Sequence, residues 1–178
     1  MLTLVTALSV GRALEELSGL TVGIKWPNDL VVGGKKLCGI LTEMSADMDE
    51  IHYVVIGTGI NVNLDGFPEE LAQTATSLLL ETGHGMNRAQ IVARSMECFE
   101  EEYAVFAAEG SMRLLKEAYE RRLVNLGRRV QVLAGEKSFS GTARGIDDNG
   151  CLLVEREDGT VASVMSGEVS VRGIYGYV

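Results

Sequence analysis

The first regular pattern along the chain is helical. Leucines recur near one face of residues 2–18, and Arg12 and two glutamates lie off that face, which predicts an amphipathic helix. Ser18-Gly19 closes this helix, because glycine is the usual residue just past a helix end. The leucines of the apolar face are Leu4, Leu8, Leu14 and Leu17. We expect the helix to serve as scaffold.

An alternating pattern then predicts a strand that enters an irregular corner. Alternate apolar residues over 20–24 lead into Lys25-Trp26-Pro27-Asn28-Asp29-Leu30, which holds the only Trp of the chain. A second short strand, a Gly33-Gly34 turn and another apolar run over 35–44 predict a hairpin. Taken alone, the corner is more often a polar turn than a site, because its proline breaks a strand and its Asn-Asp pair favours a turn.

Glycines interrupt the two strands that follow the corner. Gly39 lies inside the 35–44 run, and Gly57 and Gly59 lie in a run over 51–63 that starts as a buried strand. A glycine within a strand indicates either a bulge or the close approach of a ligand to the backbone, and both interpretations stay open. The Gly57/Gly59 pair is neither a dinucleotide fingerprint nor a P-loop, because a third glycine and a Gly-Lys-Ser/Thr sequence are missing.

Polar residues accompany these glycines. Asn61 and Asn63 alternate with apolar neighbours, so both side-chain amides face the same side of the strand. Such amides either hydrogen-bond to the edge of a nucleotide base or, more commonly, to the backbone of a turn. Lys35 and Lys36 flank the hairpin, and the side chains of such a lysine pair are usually exposed to solvent. Residues 45–50 carry three acids and predict a surface turn.

Helical periodicity returns in the middle of the chain. A short helix is predicted at 76–81, and Asn87 is a typical N-cap of the next helix. A Met and aromatic stripe at spacings of three and four predicts a strongly amphipathic helix, with the stripe in the core and not at a cofactor. The stripe consists of Val92, Met96, Phe99, Tyr103 and Phe106. Gly110 ends this helix, and Ser111 is placed to cap a further helix that runs to about Leu123.

From residue 126 onward, apolar residues recur at every second position. Turn sequences at 134–136, 148–150 and 158–159 separate short strands, and this regular spacing predicts a small all-β barrel. The predicted strands are 130–132, 151–154 and 160–164. We therefore place a domain boundary after residue 125, which gives domains of 1–125 and 126–178.

Composition narrows the classes of function. The 178 residues are 46% hydrophobic and carry a formal net charge of −9, which argues against nucleic acid as the main partner. Three distant cysteines and two histidines without a CxxC spacing predict no metal site held by the protein, and they suit a reducing cytoplasm. Residues 1–10 lack a preceding basic residue and are too short to span a membrane. We predict a cytoplasmic protein without a membrane partner.

Taken together, the motifs resemble those of the biotin protein ligase family (biotin–[acetyl-CoA-carboxylase] ligase). The corner over 25–30 is similar to the most recognisable motif of that family, and the likeness runs in order through the whole chain. The further motifs are Lys36-Leu37-Cys38-Gly39-Ile40-Leu41, Gly57-Thr58-Gly59-Ile60-Asn61-Val62-Asn63, Thr76-Ser77-Leu78, residues 143–147, residues 149–154 and Ser166-Gly167-Glu168-Val169.

The resemblance implies an α+β fold like the catalytic core of class II aminoacyl-tRNA synthetases, a mixed sheet with helices, followed by a small SH3-like β-barrel. It also implies a two-step reaction that uses ATP, biotin and Mg²⁺. The biotin carboxylate attacks the α-phosphate of ATP and releases pyrophosphate, and a lysine of a biotin carboxyl carrier protein then attacks biotinyl-5'-AMP. Both steps develop negative charge, so positioning and charge neutralisation are the main tasks of the protein.

The resemblance also assigns roles to individual residues. Lys25 and Lys36 are the catalytic cations: Lys36 meets the biotin carboxylate and the adenylate linkage, and Lys25 neutralises phosphate. The biotin-binding set is Lys36, Gly39, Leu41, Gly57 and Gly59. The ATP-binding set is Lys25, Asn28, Asp29, Asn61 and Arg172, in which Asn61 reads adenine or ribose and the Asn-Asp pair holds the triphosphate and Mg²⁺.

The chain also departs from the family pattern. A Gly-Arg-rich loop that closes over biotin in the family, and an early Ser/Thr-rich segment, are not found, and Leu126-Gly127-Arg128-Arg129 is no substitute. We therefore expect the chain to correspond to the C-terminal part of a ligase, with an exposed sheet edge that favours self-association. Three alternatives stay open: an active ligase within a fuller protein, a non-catalytic remnant that binds nucleotide or dimerises with a full ligase, and, less well matched, a lipoate ligase relative. A homodimer also stays open.

Overall fold

The computed structural model describes residues 1–133 and 138–165 and the backbone of 170–173. These residues form helices and two separate antiparallel sheets, which confirms the α+β class. The helices are α1 (Leu2–Ser18), α2 (Leu78–Thr82), α3 (Arg88–Glu109) and α4 (Lys116–Glu120). The strands are β1 (Gly23–Lys25), β2 (Asp29–Val32), β3 (Lys35–Ala46), β4 (Ile51–Ile60), β5 (Arg129–Leu133), β6 (Phe139–Ile146), β7 (Leu152–Glu155), β8 (Val161–Val164) and β9 (Ser170–Gly173). Within the described ranges, no helix is long and apolar enough to cross a membrane.

The N-terminal sheet has the strand order β1-β2-β3-β4. Its ladders are antiparallel, so the expected mixed sheet is wrong for the described strands. Among the described residues, parallel pairing occurs only as isolated bridges between Ile24 and Leu123 and between Lys36 and Ala75. The Gly33-Gly34 turn joins β2 to β3 with positive φ at both glycines, as the hairpin prediction requires.

Helix α1 covers one face of the N-terminal sheet. Its apolar face is buried, with Leu4, Leu8 and Leu14 at most 1% exposed, and Gly19 ends it in the left-handed conformation. The helix also packs along α3, where Arg12 forms ion pairs with Glu101 and Glu102. The prediction of a helix over 2–18 is confirmed.

Helix α3 begins and ends where its caps predict, but its buried face differs from the prediction. The Asn87 side chain accepts hydrogen bonds from two amides of the first turn, and Gly110 closes the helix. The expected core stripe is largely outside: Val92 is 61% exposed and Met96 is 52% exposed. Ile91, Ser95 and Cys98 are buried instead. The reason is that α3 packs on α1 by this neighbouring face, which leaves Phe99 and Phe106 of the stripe partly buried against the core and its other members exposed.

Three further predictions need correction. The 51–63 run was expected to start as a buried strand, yet most of β4 is exposed, because β4 is the last strand of its sheet and has a neighbour on one side only. Residues 45 and 46 continue β3, so the surface turn is shorter than 45–50. The helix expected after Ser111 is reduced to the five residues of α4, because turns occupy the segments on either side.

The C-terminal sheet has the strand order β8-β7-β6-β5-β9. The turns predicted at 148–150 and 158–159 lie between its strands, as expected. Closure into a barrel is not detected, since the described parts of β8 and β9 form no ladder with each other. The turn predicted at 134–136 and the motif at 166–169 lie outside the described residues.

Candidate functional site

Four residues singled out by the sequence form one row across the N-terminal sheet. Lys25 of β1 lies opposite Asp29 of β2, Asp29 lies opposite Gly39 of β3, and Gly39 lies opposite Gly59 of β4. Partners in an antiparallel sheet project from the same face. Leu41 and Gly57, which are also partners, extend this face by one more row. The strand register therefore brings together residues that are up to 34 positions apart, from Lys25 to Gly59.

The centre of this face is an ion pair held above a glycine. Lys36 Nζ lies 2.6 Å from Asp29 Oδ1. A Cβ at position 39 would lie 3.0 Å from Lys36 Cε and 3.1 Å from its Nζ, so the lysine side chain runs directly over Gly39. The close approach that a glycine within a strand indicated is therefore made, in part, by the chain's own lysine.

A shallow cavity of about 530 Å³ opens beside this ion pair, and we call it the glycine cavity. Its lining residues are Asn28, Lys36, Gly39, Ile40, Leu41, Gly57, Thr58 and Gly59. The nearest atoms to a Cβ built at Gly57 or Gly59 are carbonyl oxygens at 3.8 Å, so the protein's own packing does not require glycine at either position. The absence of side chains there leaves backbone accessible to a ligand. Leu41 is 63% exposed and forms an apolar wall.

The two asparagines of the predicted nucleotide site are hydrogen-bonded to the backbone. Asn28 Nδ2 donates to the Ile40 carbonyl at 2.9 Å, and the Ile40 amide donates to the Asn28 carbonyl at 2.9 Å. Asn61 Nδ2 donates to the Thr76 carbonyl at 3.1 Å. Asn28 lines the glycine cavity, whereas Asn61 is not among its lining residues. The amide of Asn61 thus supports a loop in this structure, which is the commoner fate of such a residue.

The corner itself is anchored from the far end of the chain. Lys25 is 8% exposed, and the next residue, Trp26, is 1% exposed. The Trp26 amide donates to Asn125 Oδ1 at 2.8 Å, and its indole Nε1 donates to the Gly150 carbonyl at 3.0 Å. Asn125 and Gly150 were not predicted as partners of Trp26, because no local sequence pattern indicates a contact between residues that are 99 or 124 positions apart.

Arg172 is the remaining residue of the predicted ATP-binding set. It lies in β9 opposite Gln131 of β5, so it belongs to the C-terminal sheet. Only its backbone is described, and its proposed contact with nucleotide stays a prediction.

The cysteine next to the site is not a nucleophile. Cys38 is 1% exposed, and burial raises the pKa of its thiol to about 12, with the nearby Asp29 carboxylate adding to the rise and Lys36 opposing it. A thiol with so high a pKa stays protonated at neutral pH, and the thiolate is the reactive form. The chemistry of the face is therefore that of its ammonium and carboxylate groups and its open backbone.

The donor set does not form a metal cage. In the parts of the chain that the structure describes, no three His, Cys, Asp or Glu residues cluster closely enough to hold a metal ion. Asp29 supplies one carboxylate, which fits the way Mg²⁺ is usually bound, through one or two carboxylates together with substrate phosphates.

A second cavity, of about 360 Å³, lies between β4, α1 and α3. Its lining is apolar apart from the hydroxyls of Thr6, Thr58 and Ser95. Because it offers no charged group, this cavity cannot neutralise a phosphate or a carboxylate. The glycine cavity, with Lys36 in its wall, is the better candidate site.

Two family models match two separate parts of the chain. Residues 1–61 match the model of the "Biotin/lipoate A/B protein ligase family", and residues 126–172 match that of the "Biotin protein ligase C terminal domain". Among curated relatives, the bifunctional ligase/repressor BirA of Bacillus subtilis is 38% identical over 174 residues, which cover 96% of this chain and 52% of BirA. The BirA of Escherichia coli is 32% identical over 171 residues. The chain spans about half the length of these relatives.

Solved structures give the same picture. The apo structure of the biotin protein ligase from Aquifex aeolicus superposes with a TM-score of 0.86 at 35% identity, and the match covers 97% of this chain and 74% of that one. The same enzyme in complex with biotin and ATP superposes with a TM-score of 0.83 at 34% identity, covering 97% and 71% of the two chains.

Proposed function

The chain belongs to the biotin protein ligase family, and from that premise we propose that it carries the biotin-activating centre of an ATP-dependent ligase. The proposed ligase joins biotin to a lysine of a biotin carboxyl carrier protein. Relatives named biotin–[acetyl-CoA-carboxylase] ligase, such as that of Mycobacterium tuberculosis, support a carrier of this kind. The biotin and ATP present in the Aquifex aeolicus complex support the two small substrates.

Biotin activation joins two anions. A carboxylate oxygen of biotin attacks the α-phosphorus of ATP, the bond from that phosphorus to the pyrophosphate oxygen breaks, and biotinyl-5'-AMP and pyrophosphate result. A fixed ammonium lowers the cost of bringing the carboxylate and the triphosphate together, and it acts more strongly in a partly dry site than in water. The position of the Lys36 side chain, which pairs with Asp29 and lines the glycine cavity, supports this role.

The glycine cavity is the proposed biotin slot. Its floor is the exposed backbone of Gly57 and Gly59 beside Gly39, which lies under the Lys36 side chain, and Leu41 offers an apolar wall for the rings and chain of biotin. A ligand that lies on bare backbone next to one ammonium is held by its shape and by its single charge. In the second step, the carrier lysine attacks the acyl carbon of the adenylate, the bond to the phosphate oxygen breaks, and AMP leaves.

The corner is the proposed phosphate side of the site. Lys25 would neutralise phosphate, and Asn28 would hold the triphosphate beside Ile40, to which it is already bonded. Asp29 would share a Mg²⁺ ion that arrives with the nucleotide, and the bound ion would neutralise phosphate charge. Asn61 and Arg172 are further candidates for contact with the nucleotide.

The observation that carries the proposal is the placement of Lys36 above Gly39 and beside the cavity. Biotin-dependent exchange of labelled pyrophosphate into ATP tests it, because exchange requires reversible adenylate formation. In any active assembly that contains this chain, Lys36→Ala is expected to abolish exchange. Lys35→Ala is the matched control, since the neighbouring Lys35 only donates a long 3.4 Å hydrogen bond to the Ala72 carbonyl. Near-normal exchange by Lys36→Ala would refute the assigned role.

A non-catalytic chain that binds nucleotide, or that dimerises with a full ligase, is the second candidate. The open face of β4 favours it, because the glycine cavity has no opposite wall among the described residues. Exchange by the isolated chain would exclude this candidate. Exchange that appears only when a family segment with the Gly-Arg-rich loop is added would support a ligase that needs a fuller assembly.

A further inference from the structure

The two lysines of the site are held by different parts of the chain. The backbone of Lys36 bonds to the loop before α2: its amide donates to the Thr74 carbonyl at 2.7 Å, and its carbonyl accepts from the Thr76 amide at 2.9 Å. All of these groups belong to the N-terminal half. Lys25 depends on another set of contacts, which come from the segment before β5 and from the C-terminal sheet.

The residues on both sides of Lys25 are bonded to that distant set. Before it, the Ile24 amide donates to the Arg122 carbonyl at 2.7 Å, and the Ile24 carbonyl accepts from the Val124 amide at 2.9 Å. After it, Trp26 donates through its backbone to Asn125 and through its indole to Gly150. These four hydrogen bonds bracket the lysine, so its backbone cannot shift without breaking at least one of them.

The acceptors of these bonds are themselves fixed. Asn125 is 1% exposed. Gly150 lies in a turn that Asp147 closes, since Asp147 Oδ1 accepts from the amides of Asn149 and Cys151 at 2.9 Å each. The same turn accepts a further bond from the helical half, where the Met112 amide donates to the Asp148 carbonyl at 2.7 Å. A rigid acceptor on the C-terminal sheet therefore meets a rigid donor at the corner.

We propose that the segment 122–125 and the turn of the C-terminal sheet that contains Gly150 together position Lys25, and that Trp26 and Asn125 are the positioning residues. The inference rests on the proposed function in one respect, namely that Lys25 meets a nucleotide phosphate. This segment and this turn then contribute to nucleotide binding through the position of Lys25, independently of any contact that Arg172 makes. Charge-assisted contacts depend steeply on geometry, so a small displacement of this ammonium weakens phosphate binding.

The test observes Lys25 directly. In the chain with isotope-labelled lysine, the ε-methylene NMR resonances of Lys25 and Lys36 are assigned with Lys25→Met and Lys36→Met. Asn125→Ala removes the acceptor of the Trp26 amide, and Trp26→Phe removes the indole donor together with part of the buried ring system while it keeps an aromatic ring at the site. Both variants are expected to shift the Lys25 resonance and to leave that of Lys36 in place.

Glu120→Ala is the matched control. Glu120 Oε1 accepts from the Ile146 amide at 2.9 Å, so this variant loosens another contact with the C-terminal sheet without touching the corner. It is expected to lower the thermal midpoint yet keep the Lys25 resonance. An unchanged Lys25 resonance in folded Asn125→Ala and Trp26→Phe, or an equal shift in Glu120→Ala, would overturn the proposal.

Titration with ATP separates this inference from the proposed function. If Lys25 meets phosphate, its resonance moves as ATP is added to the wild-type chain, and Asn125→Ala raises the dissociation constant about tenfold, the size expected for one weakened charge-assisted bond. If the Lys25 resonance of the wild-type chain does not move when ATP is added, this result counts against the nucleotide role of Lys25. In that case the shift caused by Asn125→Ala without ligand still supports the positioning.

Discussion

One edge strand of the N-terminal sheet is covered by another segment of the chain, and the other edge strand is open. At the β1 edge, residues 122–125 bond to the strand, and every residue of β2 is buried. At the β4 edge, residues 51–60 pair with β3 on one side and with no described strand on the other, and Ile51, Tyr53 and Val55 are between 53% and 62% exposed. The row from Lys25 to Gly59 runs from one edge to the other, so the proposed phosphate side is preorganised and the proposed biotin side is open.

This difference separates two tasks within one site. Charged groups gain most from being fixed, because a preorganised charge needs no rearrangement when the substrate arrives. A slot built from glycine backbone needs a second wall before it can enclose a ligand, and the described residues supply one wall only. Substitutions at the covered edge should therefore act mainly on stability, and substitutions at the open edge mainly on association and on ligand binding.

The largest effect is expected from Trp26→Ala. Trp26 is the largest fully buried side chain, and truncation of such a residue costs about 3–5 kcal/mol of unfolding free energy through lost transfer energy and the remaining cavity. Tyr53→Ala, at the open edge, is the control and is expected to change stability by no more than about 0.5 kcal/mol. Urea unfolding followed by circular dichroism measures both. Similar losses for the two variants would contradict the contrast between the edges.

The next effect is a loss of stability at alkaline pH. Burial raises the pKa of Cys38 to about 12 in the folded chain, and an unfolded thiol has a pKa of about 8.5. The contribution of the protonated thiol is therefore fully present below about pH 8.5 and is lost as the pH rises toward the folded pKa, at up to about 1.4 kcal/mol per pH unit.

Unfolding free energies at pH 8, 9 and 10 measure this slope. Cys38→Ala is expected to lower stability at every pH but to show a shallower decline. Ile40→Val, at another buried position of β3, keeps the wild-type slope because it removes no titrating group. A Cys38→Ala slope equal to that of the wild type would show that the thiol is not responsible.

The open edge is expected to self-associate. A lysine on an edge strand opposes pairing with another chain, and Val55 lies opposite Glu43, so a lysine at position 55 gains an oppositely charged neighbour within the sheet. Val55→Lys should weaken association about tenfold, or about 1.4 kcal/mol, as measured by sedimentation velocity over a range of concentrations.

Leu80→Lys provides the control for that measurement, because Leu80 is 49% exposed but lies on α2, away from any strand edge. It should associate like the wild type. A wild-type chain that stays monomeric at high concentration would contradict the expectation.

Local features could be predicted from the sequence, and long-range ones could not. The caps at Gly19, Asn87 and Gly110 depend on neighbouring residues, and the structure places them as predicted. The exposure of β4 and of the Val92 stripe could not be predicted from periodicity, because an apolar strand or stripe becomes core only when another element covers it.

The candidate site shows the same division. The corner motif and the glycines within strands pointed to a site, and the strand register then brought Lys25, Asp29, Gly39 and Gly59 into one row. The anchoring of Trp26 to Gly150 escaped prediction because it joins two sheets, and only the tertiary fold brings its donor and acceptor together.

The smallest change in stability is expected from alanine at two glycines of the slot. At position 39 the new methyl would press on Lys36, whose flexible end can give way, whereas at position 57 its nearest neighbour is a carbonyl at 3.8 Å. Neither glycine has a positive φ. Both variants should therefore stay within about 0.5 kcal/mol of the wild type.

The two glycine variants should differ at the lysine and at the ligand. Gly39→Ala is expected to shift the Lys36 ε-methylene resonance, because its methyl displaces the ammonium from Asp29, and Gly57→Ala is expected to leave it unchanged. In calorimetric titration of an assembly that binds biotin, Gly57→Ala should still weaken binding about tenfold, because a methyl group stands where the ligand lies. Unimpaired biotin binding by Gly57→Ala would remove that glycine from the slot, and the covered edge would then be the only part of the row with an assigned task.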